Sequence, residues 1–269
     1  ETAEELSLKK KSLLSSGKPP IYDRSSLSLS KDEINEKINS GQKPHWRFKL
    51  EDDLINWVDL IKGEVKFDPQ YLSDPILIRE DGSLLYHLPS VIDDIEEEVT
   101  HIIRGEDHIS NTAFHIQLFK AFNTHSPQFA HHPFLTDQEG KGFGKRIGSL
   151  SIENLKSQGY EDVSIINYLI NIGSSEDIKP ETKVDSIIKN FDIKNISNSS
   201  AKFSDSVLKS LNSDVLKIYN FEEINPKIKL LNNKVDLKKL WIFSQNNIDF
   251  LKDLEYWSKT IESVIEIER

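Results

Sequence analysis

The sequence predicts an α/β protein that passes into an all-helical C-terminal region, and three patterns carry that reading. Residues 73–150 alternate extended and helical segments, which argues for a parallel sheet with helical crossovers. Residues 1–72 combine charged helices with short aromatic-bearing strands, the pattern of a small mixed α+β unit. From Ser151 onward the apolar side chains recur at helical spacing, so three regions are expected: 1–72, 73–150 and 151–269.

Taken in chain order, a charged helix is expected over Ala3–Leu14, closed by Ser15-Ser16-Gly17. A second follows Ser30-Lys31-Asp32-Glu33, where serine and glutamate three residues apart can cap each other's backbone N–H groups. His45–Leu50 and Trp57–Leu60 read as strands. Ile76-Leu77-Ile78 and Leu84-Leu85 flank Asp81-Gly82, a two-residue turn dipeptide of the hairpin type. Val99–Ile103 reads as a buried strand that delivers Arg104-Gly105-Glu106-Asp107-His108 to a loop, and in open α/β sheets ligands bind at that carboxyl end. A helix over Asn111–Phe122 would bury Ala113, Ile116, Phe119 and Ala121. Later helical patterns cover Val184–Phe191, Ser206–Leu211 and Leu237–Trp257.

Composition narrows the function classes. At 269 residues, 37% hydrophobic and 29% charged, the chain can build a substantial core. No apolar run approaches the roughly 18 residues of a membrane span, and no secretory n-region and h-region opens the chain. Cysteine is absent, which removes disulfides and thiolate metal sites. Methionine is absent as well, even at the first residue, so the sequence is expected to be the interior of a longer one. The formal charge of −10 disfavours a general nucleic-acid binder. Basic residues nevertheless cluster at Lys9-Lys10-Lys11 with Lys18, at Lys141, Lys145 and Arg146, and at Lys227, Lys229, Lys234, Lys238 and Lys239. Each patch could meet a folded RNA or be an ordinary solvated face.

Two segments invite chemistry on their own. Gly140-Lys141-Gly142-Phe143-Gly144-Lys145-Arg146 is neither a Walker A loop nor a dinucleotide fingerprint, because the glycine spacing fits neither pattern and arginine stands where a magnesium-binding hydroxyl belongs. A phosphate-binding loop and a flexible surface turn both remain open on these residues. Arg104, taken alone, favours a plain ion pair with Glu106, Asp107 or Asp94. Asp93-Asp94 with Glu96-Glu97-Glu98 reads as a solvated acidic turn, and His131-His132 with His125 lacks a third ligand at zinc spacing, so no metal site is expected.

A resemblance joins these fragments. The run from Asp74 to Asp94 with its Asp-Gly turn, Tyr86 and Val91-Ile92-Asp93-Asp94, followed by Val99-Thr100-His101-Ile102-Ile103-Arg104-Gly105-Glu106-Asp107-His108, resembles the second half of the catalytic domain of bacterial glutamyl-tRNA synthetases. Pro20-Ile21-Tyr22-Asp23-Arg24, Pro44–Lys49, Phe129-Ala130-His131-His132 and Lys145–Ser151 extend the match in order, covering most of residues 17–175. The resemblance implies the second half of a Rossmann-like class I catalytic domain over 73–150, the remainder of a tRNA acceptor-binding insertion over 1–72, and a helical stem-contact region over 151–269 that runs toward an anticodon-binding domain.

What the resemblance implies for the site is specific. Lys145 and Arg146 occupy the end of the family's mobile signature loop, where the lysine neutralises charge developing on the ATP phosphates. Gly142 and Gly144 stand in place of that loop's first lysine and its serine, and Lys141 is the nearest substitute for the lysine. Arg104 would grip the side-chain carboxylate of glutamate through a bidentate fork. Tyr86, Ser90 and Asp107 would line the same pocket, with Asp107 near the substrate ammonium, and the backbone at Leu135 would meet adenine. The implied activity is ATP-dependent ligation of glutamate to the 3′ end of tRNA(Glu) through glutamyl-adenylate, with Mg2+ and without zinc, in a cytoplasmic monomer. The resemblance leaves open whether tRNA(Gln) is also a partner. A non-catalytic paralogue that binds tRNA or a partner protein is the alternative motivated by Gly142 and Gly144, and a glutamyl-queuosine-type tRNA-modifying synthetase is a second. The family's other signature, a His-Ile-Gly-His segment, occurs nowhere in the sequence.

Overall fold

The computed structural model describes residues 3–17, 19–143, 151–174, 177–229 and 235–267. It divides into two compact units, Glu1–His132 and Pro133–Arg269.

The first unit opens with helix α1 (Ala3–Ser15) and helix α2 (Lys31–Asn39). Ser30 and Glu33 form the expected capping box: the Ser30 N–H donates to Glu33 at 2.7 Å and the Glu33 N–H donates to the Ser30 hydroxyl at 3.3 Å. Between these helices, Arg24 adopts a left-handed backbone conformation with φ of 56°. A fork holds it there, since its Nε and Nη2 donate to the two oxygens of the buried Asp74 at 2.9 and 3.0 Å. Strand β1 is only Trp46–Arg47, shorter than the expected His45–Leu50, and it pairs antiparallel with β4 (Ile76–Ile78). Beyond Arg47 the backbone takes other partners, because the Leu50 N–H is capped by the Asp74 carboxylate at 3.0 Å.

The main sheet has four strands in the order β3 (Gly63–Phe67), β2 (Ile55–Asp59), β6 (Gln128–His132), β5 (His101–Gly105). β2, β6 and β5 run parallel and β3 closes an antiparallel hairpin onto β2, so the sheet is mixed rather than purely parallel. The hairpin turns at Leu60-Ile61-Lys62. The Asp59 carboxylate accepts from the Ile61 and Lys62 N–H groups at 3.1 and 3.0 Å, and Gly63 supplies the positive φ. Helices α3 (His87–Glu96) and α4 (Ile109–Ala121) cover the sheet, and Val91, Leu118, Phe119 and Phe129 form the buried apolar cluster between them.

Three sequence expectations are corrected here. The Ile78–Leu84 hairpin turns through three residues, Glu80-Asp81-Gly82, closed by the Arg79 N–H donating to the Ser83 carbonyl at 2.9 Å. Gly82 has φ of +83°, which makes this a type I turn with a glycine bulge rather than a two-residue turn. Asp93, Asp94 and Glu96 belong to the last turns of α3, not to a loop. β5 is not fully buried: with a single sheet neighbour among the described residues, it leaves Ile103 56% exposed.

The second unit is helical. β7 (Leu135–Thr136) pairs in parallel with β8 (Ala201–Lys202), and the rest is α5 (Ile152–Gln158), α6 (Asp162–Asn171), α7 (Val184–Asn190), α8 (Asp205–Ile218), α9 (Phe221–Ile228), α10 (Leu237–Ser244) and α11 (Leu254–Ile267). The Leu237–Trp257 pattern is therefore two helices, separated where Phe250 and Asp249 donate backbone N–H groups to Asp253. Leu208, Val215, Leu216, Ile224, Leu240 and Leu254 are completely buried, and Trp241 lies among this core with its indole N–H on the Tyr219 carbonyl at 3.3 Å. Two buried polar groups stitch the helices. Asn212 accepts from the Glu161 N–H at 2.8 Å and donates to the Asp249 carbonyl at 2.6 Å. Lys227 pairs with the buried Glu161, so it is not a member of a free basic patch.

Candidate functional site

The three parallel strands end side by side, and their last residues build a polar cluster. Asp59 is the final residue of β2, His131 the penultimate residue of β6, and Arg104 the penultimate residue of β5, placed opposite His131 by the parallel register. This is the carboxyl edge of the sheet, where an α/β fold can expose a ligand site without disturbing its ladder.

The Asp59 and His131 side chains are fully buried, with His131 Nδ1 and Asp59 Oδ2 2.5 Å apart. Burial works to raise the Asp59 carboxyl. The backbone N–H groups of Lys62, His131 and Ile61, together with the His131 ring, outweigh that penalty and hold it below the usual carboxylate value. Burial pushes His131 the other way, below the usual imidazole value, and the nearby Arg104 charge adds to this against the pull of Asp59. His131 is therefore a neutral imidazole hydrogen-bonded to an ionised carboxylate. Its Nε2 faces Arg104 Nε at 3.3 Å and the Thr112 hydroxyl at 2.9 Å.

Arg104 is held by neutral groups. Nη1 donates to the Tyr86 hydroxyl at 3.0 Å, Nη2 to the Thr112 hydroxyl at 2.7 Å, and Nε to His131. No carboxylate among the described residues lies within ion-pair distance of it. The local acids have other positions: Glu106 pairs with Lys62 at 2.7 Å, Asp107 lies 3.7 Å from His108 Nε2, and Asp94 on α3 makes no hydrogen bond to the guanidinium. The ion pair favoured for Arg104 in isolation does not form. Burial lowers the Arg104 pKa, opposed by Tyr86, Asp94 and Asp107, but a guanidinium remains protonated throughout the physiological range. Of its five N–H bonds, one on Nη1 has no partner among the described residues and the second on Nη2 has there only the His108 carbonyl at 3.5 Å. A planar, cationic edge is thus left for an anion.

Around it, Tyr86 sits at the start of α3 and is 47% exposed. The Tyr86 ring contacts those of His87, His108 and His115 at 5.4 to 5.9 Å. Burial pushes His115 down to about 3, with the Arg104, His87 and His108 charges adding to the shift. His87 is lowered for the same first reason. Burial and the positive surroundings of Arg104 thus hold His87 and His115 below the usual imidazole value.

Of the residues expected at the site, the structure joins Arg104 directly to Tyr86. Asp107 follows on the 3-10 turn Glu106–His108, and Ser90 lies one helical turn beyond Tyr86 on α3 with no side-chain hydrogen bond among the described residues. Leu135 and Lys141 belong to the second unit. Leu135 pairs with Ala201, and the exposed Lys141 amine meets Glu139 at 2.9 Å. Lys145 and Arg146 lie outside the described residues. Asp59, Thr112 and His131 were not expected as partners of Arg104. The available signal was two polar residues ending apolar strand patterns, at Asp59 and at His131 after Phe129-Ala130. Among the described residues no group of three or more His, Cys, Asp or Glu could hold a metal ion.

Known proteins share the sequence and the fold of this chain. The sequence profile of the tRNA synthetases class I (E and Q) catalytic domain matches residues 1–210. The chain is 39% identical over 257 residues to glutamate–tRNA ligase 2 of Hyphomonas neptunium, covering 96% of the chain and 58% of that protein. It is 41% identical over 269 residues to glutamate–tRNA ligase 1 of Rickettsia massiliae, covering 100% of the chain and 60% of that protein. A solved structure of a glutamate tRNA ligase from Elizabethkingia meningosepticum in complex with its amino acid superposes with a TM-score of 0.80 at 27% identity, covering 96% of the chain and 58% of that structure. The chain thus spans about three fifths of the length of these relatives. With the profile over residues 1–210 and the identity to these ligases in agreement, the chain belongs to the family of class I tRNA synthetases for glutamate and glutamine.

Proposed function

We propose that the whole protein is a glutamate–tRNA ligase, which uses ATP to form glutamyl-adenylate and then esterifies the 3′ end of tRNA(Glu). The observation that supports this reading best is the Arg104 guanidinium, a half-buried cation held by Tyr86, Thr112 and His131 with no carboxylate within ion-pair distance among the described residues. A substrate carboxylate is the natural counter-ion, and glutamate carries one on its side chain where glutamine does not. Tyr86 orients the fork, Ser90 and Asp107 border the same pocket, and Asp107 supplies negative charge for the substrate ammonium.

In this scheme the glutamate α-carboxylate attacks the α-phosphorus of ATP and pyrophosphate leaves. Lys145 and Arg146, with Lys141, neutralise the departing phosphates, and the backbone at Leu135 meets the adenine. Mg2+ enters on the triphosphate, and no step is assigned to a metal held by the protein. Once the adenylate has formed, a hydroxyl of the terminal tRNA ribose displaces AMP. Positioning and electrostatics carry both steps.

The same reading assigns 1–72 to the remainder of an acceptor-binding insertion, 73–150 to the second half of the catalytic domain, and 151–269 to a helical region against the tRNA stem. The exposed Lys10, Lys11, Lys238 and Lys239 are candidates for phosphate contacts in the first and last of these. The protein is proposed to act in the cytoplasm as a monomer. No helix among the described residues is long and apolar enough to cross a membrane.

The deciding experiment is Arg104→Ala in the whole protein. With two charge-assisted hydrogen bonds lost, kcat/KM for glutamate should fall by roughly two to four orders of magnitude while the KM for ATP holds. Arg104→Lys should recover only part, since an ammonium lacks the fork. Equal losses for both substrates would reject the carboxylate assignment.

A further inference from the structure

Two buried groups behind Arg104 have no direct access to a ligand, and their geometry gives them a different task. Asp59 Oδ1 accepts three backbone N–H groups, from Ile61 at 3.1 Å, Lys62 at 3.0 Å and His131 at 3.1 Å. That saturates one oxygen and leaves Oδ2 facing His131 Nδ1 at 2.5 Å. An ionised carboxylate only accepts, so the imidazole proton resides on Nδ1 and the lone pair on Nε2. Nε2 then meets the Arg104 Nε–H at 3.3 Å and the Thr112 hydroxyl at 2.9 Å.

We propose that Asp59 and His131 are positioning residues: Asp59 fixes the tautomer of His131, and the Nε2 lone pair of His131 holds the Nε–H of Arg104 so that the Nη edge is left for the ligand. Thr112 completes the hold by accepting from Nη2 at 2.7 Å. The arrangement selects which edge of the guanidinium a carboxylate can use. With Nε occupied from behind, the side-on mode through Nε and Nη is closed and the end-on mode through the two Nη groups remains.

Asp59→Asn tests this because the anchoring of the carboxylate dictates the orientation of the amide. The Asn oxygen must take the Oδ1 position to satisfy three backbone N–H donors, which sends its NH2 toward His131 Nδ1. Donation from that NH2 forces the proton onto Nε2, and two donors then face each other at Arg104. Long-range proton–nitrogen spectra of this 269-residue chain should show His131 protonated on Nδ1 near neutral pH, and on Nε2 in Asp59→Asn. An Nε2–H imidazole or an imidazolium in the unsubstituted chain would overturn the proposal, whatever the stability of the variant; so would an Nδ1–H ring in the folded variant.

The kinetic half rests on the reading of Arg104 as the glutamate clamp. In the whole protein Asp59→Asn should raise the KM for glutamate about tenfold, equivalent to about 1.4 kcal/mol, and leave the KM for ATP unchanged. The two ideas fail separately. If Arg104→Ala affects glutamate but Asp59→Asn flips the tautomer without moving the KM for glutamate, positioning is wrong. If Arg104→Ala itself spares glutamate, the clamp reading is wrong, and the spectra still judge the tautomer network.

Discussion

The two units of this chain solve opposite problems. The helical unit buries an extensive apolar core around Trp241, within which Asn212 bridges two backbone groups. The sheet unit has a smaller apolar cluster and devotes the strand ends to a polar network of Asp59, His131, Thr112, Arg104 and Tyr86. A half-buried guanidinium without a carboxylate is a poor way to stabilise a fold, because partial desolvation of the charge is not offset by an ion pair. The difference teaches that stability and chemistry are housed separately, and that the cationic edge is kept at a cost in folding free energy.

The largest effect should come from the helical unit. Trp241→Ala removes a fully buried indole and its bond to the Tyr219 carbonyl, and should cost about 3–5 kcal/mol in a urea or thermal unfolding curve. The His131 ring signals should meanwhile keep their native pattern at low denaturant. A loss below about 1 kcal/mol would break the contrast between the units.

The sheet unit should announce itself through pH. His115 is held neutral down to about pH 3 by burial and by the Arg104 charge, whereas an unfolded histidine titrates near 6.5. Between those values the unfolded chain binds more protons, so stability rises with pH across this window and is lost on acidification from about 6.5 toward 3. The slope from this one residue is up to about 1.4 kcal/mol per pH unit, and His87 and His131, also lowered, act in the same direction. Asp59 adds a loss at more acid pH, since a depressed carboxyl stabilises the fold only while ionised. Unfolding free energies measured from pH 4 to 8 on the chain and on His115→Gln should differ in slope by up to one proton. Parallel curves would remove the histidine cluster from the account.

The smallest effect belongs to the surface of the helical unit. Lys217 pairs with Asp214 at 2.9 Å one turn away, with both side chains well exposed. Lys217→Ala should change the unfolding free energy by less than about 0.5 kcal/mol, and a larger change would mean that exposed charge matters more to that unit than its core suggests.

Much of the fold is written locally. The Ser30–Glu33 box, the glycine turn at Gly82 and the helical periods after Ser151 depend on residues a few positions apart, and the structure follows them. The turn length at Glu80-Asp81-Gly82 and the break between α10 and α11 departed from expectation because backbone hydrogen bonds, not residue type, set those boundaries. At the site, Arg104 and Tyr86 were visible in the order of motifs around them.

By itself the sequence determined that a guanidinium would stand at the end of a strand with three acids in reach, Asp94, Glu106 and Asp107. Only the tertiary structure decided that none of them takes it. Glu106 is drawn to Lys62, 44 positions away, and Arg104 finds His131 at a separation of 27, itself oriented by Asp59 at a separation of 72. The physical reason is register. Parallel pairing of β5 with β6 sets Arg104 opposite His131, and a shift of one residue would turn each side chain to the opposite face of the sheet.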